Sequence, residues 1–234
     1  MVHFEGILDG STATLIVVSS VAFGLFSLYK SIKLKAKLLT IAGLTMIFVG
    51  FLWLGPTVDF ILILTRGQNI SPPEIYVLLS YTSVAPALIF AIYLGGELIM
   101  PKRKWILFVI YMVLGGFFEY FLWFDTTNSF DQPLSAITPG ETIIDASFNT
   151  GHPTFFLVAI FLVSALVLLG IGFAIKAKQS SGVLRRKFTY LSIAFIIFVL
   201  TGAFDAIINV VQVIGIIRIF MATFAIWCYL GLKT

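Results

Sequence analysis

Apolar residues along this chain run in blocks much longer than a soluble helix needs. Read against the charged breaks between them, the blocks predict seven spans, at about 12–29, 38–65, 74–99, 105–124, 153–175, 188–212 and 214–232. A helix crosses a bilayer with roughly 20 apolar residues, and these runs have that length. A transmembrane β-barrel would need period-2 segments of about ten residues, and none occur. The expected fold is all-α: a polytopic integral membrane protein, residues 1–234 forming a single seven-helix transmembrane domain. Five of the six links between spans are short. The long connection is "DTTNSFDQPLSAITPGETIIDASFNTGH", 125–152.

Composition supports this picture. The 234 residues are 59% hydrophobic and 11% charged, with mean hydropathy +1.06. A soluble domain carries about a quarter of its residues charged. The single Cys228 leaves no partner for an intrachain disulfide and no cysteine-rich metal site.

Charge changes the picture through its distribution. The net charge is +4, which by itself would admit a nucleic-acid partner. Yet thirteen of the 15 basic residues sit in "KSIKLKAK", "PKRK", "KAKQSSGVLRRK" and at Lys233, leaving Arg66 and Arg218 for the other side. The positive-inside rule then predicts an outside N-terminus and a cytoplasmic C-terminus. These bases are topology signals that touch anionic lipid, and no nucleic-acid partner is expected. The expected location is the cell membrane, multi-pass. "MVHFEGILDG" is acidic and runs straight into the first span, so no cleavable signal and no cytosolic domain are expected.

The 125–152 loop holds Asp125, Asp131, Glu141 and Asp145 and no base. Loops of this length are functional or disordered. Leu134, Ile137, Ile143, Ile144 and Phe148 give it apolar contacts to make, so a partly ordered cap is expected. "KLLTIAGLTMIFV" (37–49) also lies over "KFTYLSIAFIIFV" (187–199), a faint repeat relating spans 1–3 to spans 5–7.

Ionisable groups inside the runs carry the candidate chemistry, because each costs roughly 2.5–3.5 kcal/mol at a bilayer centre on insertion scales. At about 1.5 Å per residue from the inner end of each span, Glu119 lies about 21 Å up, Asp205 about 26 Å and Asp59 about 32 Å. Spans 2, 4 and 6 thus each bring a carboxylate towards one outer layer, and span 7 adds Arg218. Each acid follows a glycine ("GPTVD", "GFFE", "GAFD"), which permits close helix approach. Asp205, Asn209 and Gln212 share one helical stripe, and Tyr76, Ser80 and Ser83 another. Pro56 and Pro86 remove helix hydrogen bonds and predict kinks. Close packing is also expected at the glycine pairs 95–96 and 115–116. Glu97, beside "PKRK", reads as an interfacial ion pair.

Other chemistry finds no residues. His3 and His152 are too few for a three-histidine zinc hydrolase, and His152 between Gly151 and Pro153 reads as a helix-entry residue. No lysine lies in span 7 for a retinal Schiff base, and no phosphate loop or Ser-His-Asp arrangement exists. No enzyme activity, metal or cofactor is expected. Asn69-Ile70-Ser71 is a sequon followed by Pro72.

At "FLWLGPTVDFI", "YLGGELIMPKRKW" and "LRRKFTYLSIAF" the chain resembles an uncharacterised family of archaeal seven-helix membrane proteins. The resemblance implies the seven-helix plan and no activity. The plan also looks like the membrane sensor of some histidine kinases, without a kinase module, and like the SWEET sugar carriers, without their proline–glutamine motif.

Together these features predict an outward polar vestibule that binds or transports a small polar or cationic solute, with one carboxylate free to carry a coupling proton. Its ligand set would be Asp59, Glu119, Asp205, Arg218, Asn209, Gln212, Tyr76, Ser80 and Ser83. The alternatives are a stand-alone seven-helix sensor or receptor acting through a membrane partner, and an accessory subunit of a membrane complex or homo-oligomer.

Overall fold

In lipid, an apolar run can satisfy its own backbone only as a helix or a closed barrel, and here the runs are helical. The structure, a computed structural model, describes residues 3–208 and 210–233. Helix makes up 78% of it, with two two-residue strands, so the architecture is all-α. Six helices are long and apolar enough to cross a membrane, seven if one bent pair counts as a single span.

The first helix, α1 (Phe4–Leu34), begins eight residues before the expected span and so takes Asp9 inside it. It ends at Lys35, whose left-handed φ of 53° lets its N–H cap the Ser31 carbonyl. Its buried stripe is small: Gly6, Gly10, Ala13, Ser20, Gly24, Ser27 and Ser31. That brings α2 (Lys37–Phe51) so close that a Cβ on Gly24 would stand 2.9 Å from the Gly43 carbonyl oxygen. The second expected span is the bent pair, α2 followed by α3 (Leu54–Arg66) at 49°. Pro56 accounts for the break, since it occupies the first turn of α3, where its missing N–H costs nothing.

The third span is α4 (Glu74–Tyr81) and α5 (Val84–Ile99), with Pro86 in the first turn of α5 in the same way. Next come α6 (Lys104–Phe124) and the short α7 (Thr126–Ser129). The fifth span is α8 (Pro153–Ser164), a π-turn over Ala165–Ile171 and α9 (Gly172–Gln179). The sixth is α10 (Gly182–Asp205), and the seventh is α11 (Val211–Ala222) with α12 (Phe224–Leu232).

Packing closes the bundle on itself. α1 lies between α2 and the α11–α12 span; α2 meets α5, the π-turn and α9 meet α10, and α10 meets α12. Phe173, Phe195 and Phe224, all buried, stack through the middle. α6 sits at the periphery against α5, α8 and the ends of α4 and α7. Of the glycine pairs, Gly95 packs on Leu169, Gly96 on Lys104 and Gly115 on Ala85, while Gly116 faces open space.

The 125–152 loop is an ordered cap. Strands β1 (Ser135–Ala136) and β2 (Ile144–Asp145) pair antiparallel, and Phe130 bridges to Phe148. Leu134, Ile143 and Ile144 are buried, whereas Ile137 is 86% exposed and makes no cap contact of the kind expected. His152 caps α8 as expected, accepting from the Thr154 N–H, and its Nε2 lies 3.1 Å from Asp125 Oδ2. This is the loop end of the bundle; the other is the basic end, where Lys104 and Glu97 pair at 2.5 Å.

Candidate functional site

At the loop end, three helices bring charge together. Arg218 lies two turns into α11 and is 9% exposed. Its Nε donates to Asp205 Oδ1 at 2.8 Å, and Nη2 reaches Oδ2 at 3.5 Å. Its Nη1 donates to the Asp9 carbonyl at 3.2 Å and to Asp9 Oδ1. The first helix is thus tied to the last two spans by one guanidinium between two carboxylates. Gly215 makes room for the approach, because a Cβ there would stand 3.2 Å from Leu8.

Around this triad lies a polar layer. Tyr76, 7% exposed, is within electrostatic range of Asp9, Arg218, Tyr81 and Asp59. Tyr81 senses Asp205, Asp145 and Arg218 in the same way, and its hydroxyl donates to the Ala146 carbonyl at 3.4 Å. Ser80 and Ser83 are buried nearby on the α4–α5 stripe. The Ser80 hydroxyl returns to the Tyr76 carbonyl at 3.1 Å, and Gly55 of α3 packs against both residues.

Asp59 has a different task. Fully buried, it accepts from Ile70 N at 2.7 Å, Ile144 N at 3.0 Å and Asn69 Nδ2 at 2.8 Å. Asn69 in turn donates to the Thr142 carbonyl and accepts from Gly140 N. The carboxylate therefore clamps the cap onto the end of α3. The Asn69 side chain of the sequon is taken up in this clamp.

Glu119 stands apart from the layer expected to contain it. It belongs to peripheral α6, and among the described residues both buried carboxyl oxygens have no hydrogen-bond partner; the Trp123 indole one turn on approaches without a well-formed bond. The expected stripe of Asp205, Asn209 and Gln212 is also divided. α10 stops at Asp205, so Gln212 starts a new helix and is exposed, and Asn209 lies outside the described residues. The two clearest depressions among the described residues lie elsewhere: a groove of about 380 Å³ on the outer flank of α6, and one of about 260 Å³ at the basic end beside Arg186 and Lys233.

The site is thus a closed polar layer of Asp9, Asp205, Arg218, Tyr76 and Tyr81, with the Asp59 clamp at its edge. Asp9, Tyr81, Asp145 and Asn69 are absent from the expected set. Asp9 had one signal: Phe4, Ile7 and Leu8 continue the apolar face of the first span past it. The chain matches no known protein family, no functionally characterised protein and no solved structure.

Proposed function

We propose that the chain is a seven-span protein of the cell membrane that binds, and carries across, a small cationic or polar solute. Its N-terminus and loop end face outside, its basic end faces the cytoplasm, and α2 with α3 is one bent span. One observation carries the reading: two carboxylates, Asp9 and Asp205, share one guanidinium at the junction of the first helix with the last two spans. Asp59 and Asp145 add negative charge within range. A buried cluster with surplus negative charge favours a cation over any anionic or neutral solute. Because Arg218 bridges Asp9 of α1 and Asp205 of α10, a cation competing for these acids loosens the latch and opens the layer from outside. Tyr76 lines the same layer and offers its hydroxyl to orient the solute.

A receptor that signals to a membrane partner by helix movement is the second reading. What favours it is the apolar interior of the bundle, where Phe173, Phe195 and Phe224 are buried against one another.

The test has two stages. Purified protein in detergent is screened by thermal shift against metal cations, organic amines, guanidines and amino acids. At least one cationic solute should raise Tm saturably in the wild type and not in Asp205→Asn. A screen in which only neutral or anionic solutes stabilise overturns the reading. The solute found is then offered to proteoliposomes: accumulation marks the carrier, and binding without accumulation the receptor.

A further inference from the structure

Three carboxylates were candidates for a coupling proton, and their surroundings now separate them. Asp59 accepts three hydrogen bonds, two of them from backbone N–H groups, which only a carboxylate anion uses well. Asp205 faces the Arg218 guanidinium. Glu119 has neither a donor of good geometry nor a cation. A bare carboxylate buried in lipid-embedded protein is the costliest state available to it, and taking up a proton removes that cost.

We infer that Glu119 is a proton-binding site of the membrane domain, held as a neutral carboxylic acid and separate from the loop-end layer.

A second buried polar group without a partner lies just before the neighbouring helix α5. α5 and α6 run antiparallel in a register fixed at two points: a Cβ on Gly96 would stand 3.0 Å from Lys104 Cβ, and one on Gly115 3.1 Å from Ala85 Cβ. One turn further along α6 is Glu119, and Thr82, the C-cap of α4, lies just before α5. The Thr82 hydroxyl is itself buried without a partner. Pro86 has no N–H to give the Thr82 carbonyl one turn back. Among the described residues, both groups are thus left without a hydrogen-bond partner.

The neighbouring charges are already engaged. On the elements packed against α6, His152 pairs with Asp125 at the loop end and Glu97 with Lys104 at the basic end. Tyr81 of α4 donates to Ala146. Tyr93 of α5 lies at the basic end against Trp105 and Phe108, and Glu74 and Tyr76 of α4 lie beyond Thr82 towards the loop end. None of these ion-pairs with Glu119.

Gly116, one turn before Glu119, faces open space in the groove on the outer flank of α6. In the carrier reading, on which this use of the site rests, Glu119 supplies the coupling proton.

The test uses N,N′-dicyclohexylcarbodiimide, which partitions into lipid and reacts with protonated carboxyls. The acid O–H adds across a C=N bond, its proton going to nitrogen and its oxygen to carbon; the adduct then rearranges to a stable N-acylurea with nothing lost. Full-length protein in lipid is labelled without any solute and mapped by mass spectrometry. One adduct is expected, at Glu119, forming faster as pH falls and missing from Glu119→Gln. An infrared carboxylic-acid C=O band that Glu119→Gln removes is expected beside it, and Tm of that neutral isostere should stay at the wild-type value. Adducts at Asp59 or Asp205 but not Glu119, or neither an adduct nor the infrared band, overturn the inference. Since no solute is present, this result is independent of the cation screen.

Discussion

Asp59 and Asp205 are both acids set in apolar helices, yet one fastens a loop and the other balances a base. The difference lies in which donors face them, and donors arrive from segments distant in sequence. That each acid would be buried was legible from the runs around it. That Asp59 would meet the N–H groups of Ile70 and Ile144 was not, because a helix-spacing argument says nothing about where a loop folds back. Asp59→Asn keeps the shape but turns an acceptor into a partial donor facing donors, and charge-assisted bonds of this kind contribute about 1.5–3 kcal/mol each. We expect a fall of about 3 kcal/mol in unfolding free energy and increased proteolysis within 130–148, both measurable in detergent. An unchanged cleavage pattern would mean that the cap does not depend on the clamp. Arg218→Gln strands two carboxylates, and breaking a buried pair costs about 3–5 kcal/mol. The triple variant that adds Asp9→Asn and Asp205→Asn to Arg218→Gln should regain most of that stability, as read by thermal unfolding.

At the scale of elements, two of the departures, Asp9 and Gln212, trace to helix ends. Apolar periodicity places the middle of a helix well and its ends poorly, because the end is set by caps and neighbours. Starting α1 at Phe4 instead of residue 12 brought Asp9, with its side chain 26% exposed, into the helix and onto Arg218. Ending α10 at Asp205 removed Gln212 from a stripe that looked continuous. The glycines give a sharper account of packing. A Cβ on Gly55 would lie 2.3 Å from Ser80 Oγ and 2.4 Å from the Tyr76 carbonyl, while one on Gly116 meets nothing within 4 Å. Gly55→Ala should therefore cost about 1–3 kcal/mol through overpacking, and Gly116→Ala should be neutral or slightly stabilising. Paired melts of the two variants decide the point; equal effects would contradict the α3–α4 contact.

For the whole molecule, the all-helical, multi-pass plan was readable from composition and run length, and the structure agrees with it. Convergence of the acids was harder to read. Depth along each span was close enough to suggest one layer, but not which helix would lie at the periphery. Glu119 shares the level and not the interior, since α6 touches the bundle on one side only. Orientation follows the basic links: a membrane-impermeant maleimide on intact cells should label Ser135→Cys, at the exposed cap, and spare Val183→Cys until the membrane is opened. The reverse pattern would invert the proposed topology. Cys228 is fully buried and gives no background.

The central claim is that surplus negative charge at the junction of α1, α10 and α11 selects a cation. Asp9→Asn tests it most directly, because it leaves the Arg218–Asp205 pair balanced and removes only the excess. With the cationic solute from the thermal-shift screen, titration calorimetry should show affinity at least about tenfold weaker in Asp9→Asn than in the wild type, equivalent to about 1.4 kcal/mol. Affinity unchanged in the variant would mean that the charge at this junction only holds helices together and that the solute binds elsewhere.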